Sequence, residues 1–253
     1  MRPLKRRETL ARLLAALFWL GIWEAAARAV GQEFLLASPL AVVQSLARLL
    51  VSADTYLTAL RSAARLLLGF LGGSLLGAGA AVLGARYAPL RHLFAPAVSA
   101  ARSMPVASFA VLAIILAGSR SLSALVTLVV AFPVVYEATL EGLGQRDRQL
   151  AEMAAVFRVP GMRRALYVAL PRVLPHLRAG LLAALGMCFK SGVAAELIGI
   201  PAGTVGEKLY IIKVSLRTPE LFAWTVVIVG MSALCAAGLR ALLQSLGKGL
   251  ARL

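Results

Sequence analysis

Three ionisable residues stand inside otherwise apolar sequence: Arg102, Lys190 and Glu196. Charged side chains at membrane depth are costly, and they persist where they face a wet cavity, a partner or a transported ion. Pro105 belongs with them, because proline deletes a backbone donor and turns its predecessor away from helix. Broken backbone at membrane depth is tolerated only inside protein or beside water. Arg102, Pro105, Lys190 and Glu196 are therefore candidates for a translocation path, and two cations on such a path suit an anionic solute such as a sulfonate. An equally open reading puts a surface kink at residues 103–105, with Arg102 snorkelling. Lys190 and Glu196, six residues apart and about 240° around a helix, do not share a face.

Catalytic chemistry finds few footholds. The histidines are His92 and His176, no metalloprotease or serine-hydrolase motif accompanies them, and Leu246-Gly247-Lys248-Gly249 lacks the spacing and hydroxyl of an ATP-binding P-loop. The chain is read as a non-enzyme that binds no metal or cofactor of its own. Cys188 and Cys235 both fall in apolar runs, where they read as small packing residues rather than a disulfide or thiolate site.

The elements that must position these residues are membrane helices. Of 253 residues 60% are hydrophobic and 15% charged, against about 45–50% and 25% in soluble domains. Residues 66–85, 103–119, 121–136 and 221–239 carry no Asp, Glu, Lys or Arg, and about 20 apolar residues cross a bilayer. Adding the runs 13–30 and 176–197 predicts an all-α integral membrane protein with six transmembrane helices. They fall at approximately 10–30, 64–85, 93–118, 120–140, 176–197 and 220–243, within a single domain spanning 1–253. A basic stretch, an apolar run and Ala25–Ala27 could mimic a signal peptide; Glu24 and two Trp favour a retained helix.

The net charge of +16 raises a nucleic-acid partner, but the basic residues sit between apolar spans rather than on a soluble face. They report topology instead. With both termini cytoplasmic, seventeen of the 27 Lys and Arg residues lie inside and eight outside, as the positive-inside rule requires. Outside, Ser38-Pro39 is a helix start before Leu40, Val43, Leu46, Ala47 and Leu50 at helical spacing. Residues 207–216 form a second outer helix, and Thr218-Pro219-Glu220 starts the last span. Gly73 and Gly77 make a GxxxG in the second span, read as general small-residue packing. Glu141 follows Glu137 by one helical turn on the same face.

The inner segment 142–175 turns charged. Leu150, Met153, Ala154 and Phe157 repeat at helical spacing, Pro160-Gly161 makes a turn, and a second amphipathic run from Met162 is stopped by Pro171. This helix–turn–helix resembles the EAA loop of bacterial ABC-importer permeases. Glu152-Met153-Ala154-Ala155 begins the motif and Val168-Ala169-Leu170-Pro171 closes it at the family spacing; Met153 replaces an alanine and Arg158 the usual glycine. Arg102-Ser103-Met104-Pro105-Val106-Ala107 and Ala194-Ala195-Glu196-Leu197-Ile198-Gly199 extend the resemblance, which is nearest to the nitrate/sulfonate/taurine-type permeases.

The resemblance implies a type I ABC-importer architecture in the bacterial inner membrane, with 142–175 as a coupling helix–turn–helix between helices 4 and 5. It implies that Glu152 pairs with a basic group of a separate ATPase subunit, that Ala154 and Ala155 permit close approach, and that Phe157 anchors. Arg158, Pro160, Gly161, Leu170 and Pro171 complete the coupling element. ATP would be hydrolysed by that partner. A second permease copy, most simply a homodimer, an extracytoplasmic solute-binding protein and surrounding lipid are the other implied partners. The competing reading is an ion-gradient-driven secondary transporter, which commonly shows inverted repeats and more intramembrane carboxylates.

Overall fold

A computed structural model describes residues 2–145, 153, 156–157, 160–164, 167 and 170–250. The described residues form helices and connecting turns: α1 (Arg2–Val30), α2 (Pro39–Val51), α3 (Ala53–Arg86), α4 (Ala88–Ser103), α5 (Val106–Gly144), α6 (Gly161–Arg164), α7 (Leu170–Gly199), α8 (Val205–Val214) and α9 (Thr218–Leu250). Among the described residues, five helices are long and apolar enough to cross a membrane: those containing 13–30, 53–86, 106–144, 170–199 and 218–245.

The longest of these is two helices. Gly118 has φ +73°, and the chain reverses there. Val106 and Val130 would stand about 36 Å apart on a straight helix, yet both pack on one cluster with Ala110, Ala113, Leu122 and Val126. Residues 106–117 and 119–144 are the two legs of a hairpin.

Residues 119–144 are the central strut, and small residues decide how tightly it is gripped. A side-chain carbon added at Gly69, Gly73 or Gly77 of α3 would sit 2.0, 2.3 or 2.5 Å from the carbonyl oxygens of Ala124, Leu128 and Phe132. Both series advance by four and in the same direction, so α3 and this leg run parallel with their backbones in contact. Three glycines, not the expected pair, carry the approach, which brings Cα–H groups against carbonyls. On the opposite flank α7 runs antiparallel. Gly142 abuts Val173, Gly180 abuts Ala138, and the Cys188 thiol donates to the Thr127 carbonyl at 3.3 Å. Leu66, Phe70, Val135, Leu185 and Phe189 fill the space between the three helices.

The expected span over residues 93–118 is not a single helix. Met104 and Pro105 interrupt it, with the Met104 N–H closing α4 on Ala100 and Pro105 supplying no donor to continue it. Moreover α4 lies across the bundle rather than along it. Phe94 and Val98 pack on Tyr136 and Leu140, while Arg102 meets Glu137, in the same turns of α5. Apolar content alone could not separate a crosswise helix from a spanning one.

The caps at one end match expectation more closely. The Ser38 hydroxyl accepts from the Ala41 N–H at 3.3 Å to start α2, and Pro39 occupies the first turn. Thr204 caps α8 on the Glu207 N–H at 3.3 Å, so that helix starts and ends two residues earlier than 207–216. The Thr218 hydroxyl donates to the Phe34 carbonyl at 2.5 Å, tying α9 to the segment before α2. α1 is held mainly there too: Trp23 Nε1 donates to the Ala37 carbonyl at 3.0 Å and its ring meets Phe222 at 5.5 Å. Leu13, Leu14, Leu17, Phe18 and Trp19 of α1 are exposed apolar surface, as a helix in contact with lipid requires.

Candidate functional site

A cavity of about 700 Å³ opens between α4, α5 and α7. From α5 it takes Val130, Pro133, Val134, Glu137, Ala138 and Glu141, and from α7 His176, Ala179, Gly180, Ala183, Met187 and Ser191. Both sets follow three- and four-residue steps, so each helix gives one face. Small residues on α7 leave the volume open, and the charges gather at one end. The shared face expected of Glu137 and Glu141 is observed.

Arg102, in the last turn of α4, reaches into this cavity and forms an ion pair with Glu137. Their side chains are 58% and 43% exposed, so the pair contributes about 0–1 kcal/mol. His176 Nδ1 stands 4.0 Å from Glu141 Oε2 at the same end. Glu137 is the cavity residue that sequence reasoning did not single out. The signal was present: a cation at a span's end needs a partner, and Glu137 closes the following charge-free run.

The four path candidates separate. Arg102 lines the cavity, and Pro105 sits exposed at the α4–α5 break between two lining residues, Met104 and Val106. Lys190 lies on an exposed face of α7 and is not among the cavity's lining residues. Glu196 is fully buried at the far end of α7. It accepts from the Ser62 hydroxyl at 2.7 Å and from the Gly206 N–H at 3.3 Å, while the same Ser62 oxygen accepts from the Val205 N–H at 2.9 Å. A carboxylate at the first turn of α8 satisfies donors that the helix leaves free and complements its dipole. Gly206 is required because a side-chain carbon there would fall 2.3 Å from Glu196. Glu196 thus knots α3, α7 and α8 together. Glu196→Ala strips the Gly206 N–H and Ser62 of their acceptor, a loss of about 1–3 kcal/mol. The thermal midpoint of the detergent-solubilised protein should fall for Glu196→Ala and largely recover for Glu196→Gln, whose amide oxygen still accepts; equal midpoints for Ala and wild type would refute the knot.

At the opposite end lies the loop between α5 and α7. Glu152, Ala154, Ala155 and Arg158 lie outside the described residues. Of the rest, Phe157 is 75% exposed, and Met153, Val156 and Tyr167 are exposed beside it in sequence. Four large apolar side chains in a charged segment are an unusual surface for water and a usual one for a partner. Pro160 and Gly161 lead into α6, four residues long. The second amphipathic run does not end at Pro171. Pro171 is itself helical and the helix continues from it to Gly199, so it does not stop the chain.

Residues 69–252 match the family described as the binding-protein-dependent transport system inner membrane component. The chain belongs to that family. It is therefore a multi-pass inner-membrane permease component, and the gradient-driven transporter is set aside. It is 27% identical over 226 residues to the putative aliphatic sulfonates transport permease protein SsuC of Bacillus subtilis strain 168, covering 88% of this chain and 81% of that relative.

Proposed function

We propose that this permease imports an organosulfonate or a similar small anion through the cavity between α4, α5 and α7, powered by a separate ATPase subunit docked on the loop around Phe157. The observation that carries the reading is the exposed apolar set Met153, Val156, Phe157 and Tyr167, in the segment whose spacing resembles the coupling loop of such permeases. Arg102 supplies the cavity's guanidinium, and its planar donor fork suits a sulfonate as it suits a carboxylate. The solute class rests on the sulfonate relative together with this cation.

We read six passes, with helix directions as the support. α3 and residues 119–144 run parallel, so the chain between them must return, and residues 106–117 are that return leg. With the positive-inside bias, both termini and the Phe157 loop face the cytoplasm, while α2 and α8 face outward, where a solute-binding protein would deliver its cargo. A second copy of this chain would complete the path, because the cavity between α4, α5 and α7 is open on one side. ATP is bound and hydrolysed by the partner, not by this chain.

The test is co-purification. Wild-type protein extracted in gentle detergent should retain an ATPase subunit, and Glu152→Arg should lose it while inserting normally. Failure of wild type to retain any ATPase in several detergents would overturn the coupling role.

A further inference from the structure

Two cavities flank α4, and they have only two lining residues in common. One is the 700 Å³ path cavity. The other, of about 490 Å³, is lined by Arg91, Ser99, Ser103 and Tyr136 together with neighbouring apolar residues. Arg102 and Glu137 line both. Their ion pair is therefore the partition between two spaces that would otherwise merge.

The partition is built to move. Arg102 is the penultimate residue of α4, followed by the break at Met104 and Pro105, and among α4 residues only Val98 is buried. Both charged side chains are about half exposed, so separating them uncovers little buried surface. Glu137, by contrast, rises from the central strut, which α3 and α7 grip on two sides. One partner sits at a loosely packed helix end and the other on a gripped helix.

We propose that the Arg102–Glu137 pair is a latch opened by the transported anion, which takes the place of Glu137 on the guanidinium and joins the two cavities; this rests on the importer reading above. A carboxylate and a sulfonate offer the guanidinium fork the same pair of anionic oxygens. Glu137 is then an internal competitor that sets the entry requirement. A solute carrying an ionised acid group exchanges with it, and a neutral solute of the same size leaves the latch shut. Arg102 binds the solute; Glu137 determines specificity.

The two residues make opposite predictions, which a general loss of folding could not produce. In cells expressing the complete transporter, uptake of labelled butanesulfonate is measured with Glu137→Gln and with Arg102→Gln, each normalised to its level in the membrane. Glu137→Gln should lower KM about two- to fivefold, the competition offered by a half-exposed ion pair. Arg102→Gln should raise KM at least about tenfold, as expected when a charged hydrogen-bonding partner is lost. A second readout leaves the latch intact. In the detergent-solubilised transporter with Cys188→Ala and Cys235→Ala, Ser99→Cys in the second cavity should react faster with a maleimide when butanesulfonate is present, and butanol should have no effect. KM values that move together or stay put, or a labelling rate indifferent to butanesulfonate, overturn the latch while wild-type uptake keeps the importer reading. Absence of uptake by wild type across short alkanesulfonates overturns both.

Discussion

Gly69→Leu will leave little folded protein in detergent, while Gly79→Leu, ten residues along the same helix, will behave as wild type. A side-chain carbon at Gly69 would sit 2.0 Å from both the Ala124 carbonyl oxygen and the Thr127 hydroxyl, whereas nothing lies within 4 Å of the corresponding position at Gly79. Overpacking ordinarily costs about 1–3 kcal/mol because side chains shift aside. Here the obstacle is backbone, so α3 must move off the central strut, and the contacts at Gly73 and Gly77 go with it. A loss of about 3 kcal/mol or more is expected, a drop of roughly 6–12 °C in thermal midpoint for a chain of this length. Monodispersity and midpoint of the purified variants check it. Equal midpoints for the two leucine variants would show that the glycine contacts are not what holds the bundle.

Phe157→Asp will abolish transport without changing the stability of the permease itself. The ring is 75% exposed, so its removal leaves no hole and strands no buried partner. In an interface, a buried aromatic anchor is typically worth about 2 kcal/mol or more, and replacing it with a carboxylate adds an unpaired charge to the loss. Affinity for the ATPase subunit should fall at least about 30-fold, read by titrating that subunit onto the detergent-solubilised permease, with uptake falling in parallel. An unchanged affinity would place the ring among lipid headgroups instead of in a subunit groove.

Much of this was legible in the residues because the bilayer imposes a simple rule on long apolar runs. The spans containing 13–30, 64–85, 176–197 and 220–243 each lie within a helix of α1, α3, α7 or α9. Ser38-Pro39 read correctly as a start because its capping chemistry is local. Where the reading failed, one residue type served two purposes. Pro171 reads from sequence as a helix stop, but helix runs on from it to Gly199, carried by packing such as Val173 on Gly142. Residues 93–118 are apolar enough to span, but hydropathy contains no direction, and α4 turns sideways to cover Tyr136. Glu196 was read as a path residue from its burial cost alone. Its partners, Ser62 and the first turn of α8, are distant in sequence or set by a turn, and no spacing rule reaches them. Arg102 is picked out by the same argument, and it lines the cavity between α4, α5 and α7.

The close seat of Gly142 against Val173 has a mechanical side. It joins the two roots of a loop that leaves the bundle at Gly144 and re-enters at Leu170, and Gly180 on Ala138 repeats the contact two turns deeper. These two contacts hold the 119–144 strut and α7 together over residues 138–142 and 173–180. If an ATPase docks at Phe157 as proposed, these contacts between the two helices pass its thrust to the 119–144 strut and α7 together. The far end of α7 carries Glu196, whose carboxylate is tied to α3 and α8, so under the proposed coupling a push at the loop end would reach the opposite end of the bundle as leverage.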